Sequence, residues 1–314
     1  MLNTGLSQST TRTALDAVFF QEYDYKKQPG LVDATDPVFF RQDKADGSAV
    51  ITEDLQGPGD FETHAEEQEV DEATMRTGNQ KTHTILEYAR GIHIPVSYYE
   101  DAKFGMINEQ VRQFGMRART SRDKHAFNNS YADAFSGVTA SDSVAWASNS
   151  HTTLSGDTVD NLETGALTPA NLETVVRSLA LQRTQDGFIG SHEAVGLLVP
   201  KILHPDAQEI TKSTKQANTA ENNLNYFSDI YPGMVVGWSP FLDSTYNTLN
   251  SNANTSYFVV GRNHFCKRFV RKELSTNLRD YSIDTRLRYW YHARFREIVS
   301  IGVFEGMVAS NGTA

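Results

Sequence analysis

The chain has 314 residues, 39% of them hydrophobic and 22% charged, and its 17 Phe, 13 Tyr and 3 Trp exclude a disordered polymer, because they supply surface whose burial offsets ordering entropy. No apolar run approaches the ~18 residues of a membrane-spanning helix, and the mean hydropathy is -0.47. With 29 Lys and Arg against 39 Asp and Glu the net charge is -10, which argues against non-specific nucleic-acid binding, since that needs a positive footprint.

Residues 1–35 begin polar and Ser/Thr-rich, then carry Phe19, Phe20, Tyr23 and Tyr25 before the Pro29-Gly30 turn signal. They read as an extended arm with aromatic anchors. Residues 36–81 read as a long acidic loop. Between Thr35 and Met75 twelve acids stand against two bases, Arg41 and Lys44, and Glu66, Glu67, Glu69, Asp71 and Glu72 crowd one short run. So few apolar residues bury little, and a connection this long inside a domain implies a function. Arm and loop both need something to lie against, and neighbouring copies of the chain are the simplest supplier.

Leu86, Tyr88, Ile92, Ile94 and Val96 share one parity, which predicts a half-buried strand that Pro95 ends or edges. Phe104, Ile107, Val111, Phe114 and Ala118 repeat at 3, 4, 3 and 4, and Phe127, Tyr131 and Phe135 resume at 4. This predicts a long helix over 99–135 with one apolar stripe. Its second half is basic, with Arg112, Arg117, Arg119, Arg122 and Lys124. Residues 136–166 are a polar surface excursion. Thr168-Pro169 predicts a capped helix start, with Leu172, Val175, Val176 and Leu179 as the buried face and Gly187 as the end. Residues 194–200 predict a short buried strand, 206–214 a short helix, and 234–236 and 257–260 two further strands. Last, Leu287, Tyr289, Tyr291, Ala293, Phe295, Val299, Ile301 and Val303 all have odd parity. That predicts one strand of about 17 residues, or two with a bulge near Glu297, far beyond the usual ~5–6. Between Gly261 and Glu297 ten Lys and Arg stand against four acids, so an acidic pole and a basic pole coexist and copies can pair.

Motifs for chemistry are missing. No Walker A, G-x-G-x-x-G or G-x-S-x-G pattern occurs, and His192-Glu193-Ala194-Val195-Gly196 has glycine where a zinc protease needs its second histidine. The nine histidines do not pair at ligand spacing. The single cysteine, Cys266, forms no internal disulfide and reads as a buried inert thiol. The first residues, Met1 to Gly5, have neither the basic start nor the apolar core of a signal peptide.

The order of elements resembles the major capsid proteins of tailed double-stranded DNA bacteriophages, the Hong Kong 97-type capsid fold, an α+β architecture. Thr168 to Arg183 resembles the first helix of that fold's axial domain. Leu197-Leu198-Val199-Pro200 with Leu203-His204-Pro205 resembles its central strand. Tyr231-Pro232-Gly233-Met234-Val235-Val236 with Ser239-Pro240, and Tyr257-Phe258-Val259-Val260-Gly261 with Gly302-Val303-Phe304-Glu305-Gly306, resemble its later strands.

The resemblance implies an N-terminal arm over 1–35, an extended β-hairpin loop over 36–81 and a peripheral domain with a spine helix over 82–140. An axial α/β domain follows over 141–261, and C-terminal strands over 262–314 return to the peripheral domain. It implies a virion shell protein, synthesised in the host cytoplasm, that self-assembles as pentamers and hexamers of an icosahedral shell. Expected partners are the chain itself, a scaffold, a portal and a decoration protein, with packaged DNA touched weakly on the inner face. No membrane, catalysis, cofactor or metal is expected. The residues expected to meet neighbours are Phe19, Phe20, Tyr23 and Tyr25 on the arm, and Glu66, Glu67 and Glu69 on the loop. The loop residues are expected to face Arg112, Arg117, Arg119 and Arg122 of a neighbour's helix. The alternatives are an encapsulating nanocompartment shell, another phage structural protein such as a tail tube and, more distantly, a hydrolase.

Overall fold

The computed structural model describes residues 8–24, 28–57, 63–64, 69, 72, 75–214, 225–279 and 287–313. In chain order the elements are α1 (Gln8–Tyr23), β1 (Arg41–Lys44), β2 (Ala49–Gln56), β3 (Arg76–Thr84), β4 (Leu86–Pro95), α2 (Val96–Glu100) and α3 (Phe104–Asn128). Next come β5 (His151–Thr152), β6 (Thr158–Val159), β7 (Leu162–Glu163), α4 (Pro169–Leu181), β8 (Ala194–Pro200), α5 (His204–Lys212) and α6 (Tyr226–Ile230). The last are β9 (Val235–Ser239), β10 (Tyr257–Gly261), β11 (Cys266–Arg279), β12 (Arg288–Ile301) and β13 (Met307–Ser310). Among these, one sheet has the order β1-β11-β12-β4 and a second the order β7-β13-β10-β8-β9, with the hairpin β2–β3 and the pair β5–β6 apart.

The alternation in β12 is what makes it long. Tyr291, Ala293, Phe295, Val299 and Ile301 are buried on one face, while Trp290 and Arg294 of the other row are exposed. Its partner β11 is equally long, 14 residues. The strand is continuous, and the irregularity near Glu297 lies across the ladder. Register shifts fall between Val270 and Lys272 and between Lys272 and Ser275, opposite Glu297 and Arg296. Extra residues on one strand bend it and raise the local twist.

Helix α3 is shorter than the 99–135 expected. Its stripe is in place, with Ile107, Val111 and Phe114 buried. A turn precedes it, in which Ala102 takes a φ of 54°. It stops at Asn128 because Asn and Ser side chains offer the backbone other partners: the Ser130 hydroxyl donates to the Ala126 carbonyl at 2.7 Å. Tyr131 stays buried beyond the helix and donates its hydroxyl to the Phe39 carbonyl at 2.8 Å.

The expectation of an extended arm is corrected. Residues 8–23 are helical, and Leu15, Val18, Phe19 and Tyr23 share the face that packs on α3, β4, β11 and β12. Phe19 has no exposed surface and packs edge-on to Phe114 and Tyr291, at 5.3 and 6.0 Å between centroids. The helices cross at Gly115, where a Cβ would lie 2.4 Å from the Phe19 carbonyl oxygen, so only glycine admits this approach. Asp16 fixes the other side of α1 by accepting from Tyr291 at 2.7 Å and Thr276 at 2.6 Å. Residues 28–40 then cross to the second sheet. Leu31 bridges Trp238 in parallel, the Val32 amide donates to the Trp238 carbonyl at 2.9 Å, and Phe39 and Phe40 enter the core.

The second sheet grows from β8, whose Leu197, Leu198 and Val199 are fully buried between two layers. Thr168 caps α4 as expected, its hydroxyl accepting from the Asn171 amide at 3.2 Å. Leu172, Val175, Val176 and Leu179 seal one side of the sheet, each contributing about 1.5–3 kcal/mol by burial. The helix ends at Leu181, and Gly187 serves a separate turn with φ of 84°. The expectation that all strands after residue 262 return to the first sheet is corrected in its last element. β11 and β12 do so, but β13 pairs with β10 and β7 in the second. A chain that visits the first sheet, the second, the first and the second again ties both into one body.

Candidate functional site

A groove of about 1060 Å³ runs between α3 and the strand pair β4–β12. Among the described residues β4 is an edge strand of its sheet, with one row of backbone donors and acceptors left for another strand, the usual template for added pairing. The even residues of β4 face α3. Tyr88 stacks on His125 at 4.3 Å and on Phe295 at 5.1 Å, closing the floor. Arg90, Arg117 and Lys124 line the groove against one acid, Glu87. Glu87 is shared with Arg294 and Arg296, at 3.5 and 3.6 Å, so it does little to neutralise the groove. Burial, with Lys124 beside it, lowers the pKa of His125.

Beneath the groove lies a buried charge cluster. Glu297 occupies a core position of β12 and accepts from Arg122 of α3, Nε at 2.9 Å and Nη2 at 2.8 Å. It also accepts from Arg268 of β11, Nε at 2.9 Å and Nη2 at 2.6 Å. Glu273, inside the second β11 bulge, bridges both guanidiniums at 2.7 and 3.2 Å. Arg122 also donates to the Tyr23 hydroxyl of α1. Burial pushes the pKa of Glu297 up, and Arg122 pulls it back. Burial works against the charge of Arg122, but Glu297 and the other partners outweigh it, so its pKa rises. Two cations and two anions therefore lock α1, α3, β11 and β12 together where the sheet bends.

The expected contact residues scatter. Phe19 is in the core and cannot anchor a neighbour, while Phe20 and Tyr23 are half-buried on the same helix. Tyr25, Glu66 and Glu67 lie outside the described residues, and Glu69 is exposed. Arg112 is exposed and pairs within its own chain with Glu109 at 3.0 Å and Glu22 at 3.7 Å. Arg117 lies in the groove, and Arg119 is half-buried. Arg122 is spent inside the chain, which removes it from any facing surface. The expected set omitted Arg90, Lys124, Arg268, Glu273 and Glu297. Among the described residues no group of three or more His, Cys, Asp or Glu is placed to hold a metal ion.

The profile of a family described as phage capsid protein matches residues 80–299. No curated protein matches the chain. Among solved structures it is similar to the capsid of Myoviridae phage XM1, at 10% identity over 92% of this chain and 94% of that one, with a TM-score of 0.53. It is also similar to the cyanophage Pam1 capsid asymmetric unit, at 12% identity over 99% and 98%, with a TM-score of 0.54. A third likeness is to the virus-like particle from Pyrococcus furiosus, at 8% identity over 95% and 98%, with a TM-score of 0.54. Identities this low show a shared fold.

Proposed function

The chain belongs to the phage capsid protein family and has the Hong Kong 97-type fold, so it is a structural protein that builds a virion shell, and we propose that its copies close as pentamers and hexamers of an icosahedral head around double-stranded DNA. Membership favours this reading over the nanocompartment and hydrolase alternatives. The protein acts by packing against itself and performs no catalysis. The net charge of -10 keeps the packaged genome from adhering.

One observation carries the assembly mechanism: an unpaired edge strand beside a basic groove, in a chain that also holds an acidic run at 62–72. In our reading the acidic segment of one subunit lies along the β4 groove of the next. There Glu66, Glu67 and Glu69 face Arg90, Arg117 and Lys124, with Arg112 and Arg119 towards the rim. Hairpin β2–β3 brackets that segment in the chain, residues 82–140 form the peripheral unit that receives it, and 141–261 form the axial unit around the capsomer centre. A scaffold, a portal and a decoration protein complete the particle.

Each exposed pair contributes only about 0–1 kcal/mol, but the contact recurs in every subunit. Reversing Arg117 and Lys124 to Glu should weaken assembly at low salt and much less at high salt, where exposed charges are screened. Reversing Glu66 and Glu67 to Lys in the same chain should recover part of the loss. Normal low-salt assembly of the first variant would show that the groove does not receive the segment.

A further inference from the structure

Where the end of hairpin β2–β3 meets the body, three carboxylates from three segments converge. Asp54 of β2 is only 2% exposed and accepts from the Ser141 hydroxyl at 2.6 Å. Glu305, in the turn between β12 and β13, accepts from the Gln185 amide at 2.9 Å. Asp186, in the turn after α4, accepts from the Gly57 amide at the end of β2. Among the described residues, what faces Glu305 is Asp54 from the hairpin, Asp186 and the Gln185 amide, and no cation. Asp142, in the loop before β5, adds a further negative charge facing Asp54. Lys81 of β3 sees Asp142 and donates to the Thr139 carbonyl. His83 is held between Thr52 and Ser300. On the inward row of β2, the buried Gln56 Oε1 has no hydrogen-bond donor among the described residues.

We propose that Asp54, Asp186 and Glu305 form a proton-controlled latch that sets how firmly the β2–β3 hairpin is held to the body. With all three ionised, the charge on the hairpin repels the two on the body. A proton on Glu305 removes the central charge. Burial, with Asp54 and Asp186 adding like charge, raises the pKa of Glu305 to about 7 from the ordinary 4.5, and burial raises that of Asp54 too. A raised acid favours the closed form below its free value and loses that advantage as pH rises through the raised one. The latch is therefore closed on the acid side, loosens as pH rises above about 4.5 and is fully loosened once pH passes about 7. Complete release of Glu305 corresponds to a change on the order of a hundredfold in the closed-to-open ratio.

Amide exchange of the 49–57 segment, corrected for intrinsic rates, reads this ratio in subunits or shells alike, so the outcome is independent of the assembly proposal. Protection should fall on the order of a hundredfold from about pH 5 to about pH 8. Glu305→Gln keeps the acceptor for Gln185 without the charge, and should hold the acid-side protection at both pH values. Asp54→Asn and Asp186→Asn, each removing one facing charge, should move the midpoint to lower pH, and they serve where Glu305→Gln does not fold. Wild-type protection that ignores pH overturns the proposal, as does full pH dependence in Glu305→Gln. Midpoints unmoved in both Asn variants overturn it equally.

Discussion

Replacing Glu297 by Ala removes the anion that both buried guanidiniums share. Arg122 is 5% exposed and Arg268 1%, so neither reaches water without moving α3 or bending β11. Losing one partner of a buried pair costs about 3–5 kcal/mol, chiefly as an uncompensated charge. Glu273 still touches both arginines, but its side chain is 56% exposed, so it screens only part. About 3–4 kcal/mol is expected. The same physics makes the triple replacement Arg122→Met, Arg268→Leu, Glu297→Leu nearly neutral or stabilising, because no charge is then left behind. Urea unfolding of the unassembled subunit measures both, with the midpoint shifting at constant slope. A Glu297→Ala variant within about 1 kcal/mol of the parent would refute the reasoning. A triple variant as unstable as the single would do the same.

Gly115→Ala should destabilise by about 1–3 kcal/mol through overpacking against the Phe19 carbonyl, read as a drop in Tm with the near-ultraviolet signal of the surrounding rings altered. An unchanged Tm would mean that α1 packs elsewhere. Deleting residues 1–30 removes Leu15 and Phe19 from the core, about 1.5–3 kcal/mol each, and should lower the urea midpoint of the subunit itself; an unshifted midpoint would show that α1 is dispensable to the fold. His83 and His264 are held near 4 by burial first, with Lys81 and Arg41 respectively adding like charge. Unfolded histidines titrate near 6.5 and bind protons there first, so stability falls as pH drops from about 6.5 to 4, at up to ~1.4 kcal/mol per pH unit for each. Glu305 acts in the opposite sense over its own window. Urea midpoints through this range should flatten in the His83→Gln, His264→Gln double variant, and an unchanged slope would contradict the assignment.

Elements with many periods were legible from residues alone. The parity of β12 and the 3, 4, 3, 4 spacing of α3 survive into the structure because each buries a whole face. Less legible were charges standing on apolar rows. Arg122 continues the α3 stripe after Ala118, Glu297 sits between Phe295 and Val299 in β12, and Arg90 sits between Tyr88 and Ile92 in β4. Reading such residues as surface charges placed Arg122 on the wrong side of its helix. A charge on a buried row needs a partner on another row, and Arg122 with Glu297 is that match. Arg90 lies at the sheet edge, where the row opens into the groove. Helix α1 was missed because its signal is short: Leu15, Val18, Phe19 and Tyr23 keep helical spacing, but the polar turns before them hid it. The four residues of β13 are too few to say which sheet they join.

Electron microscopy of purified protein, at rising concentration and at two ionic strengths, tests the central claim most directly. Closed shells or capsomers of five and six subunits are expected, and in a reconstructed shell the 62–72 segment of one subunit should lie in the α3–β4 groove of its neighbour. Monomers or dimers under every condition, or shells in which that groove is empty and β4 unaccompanied, would contradict the account.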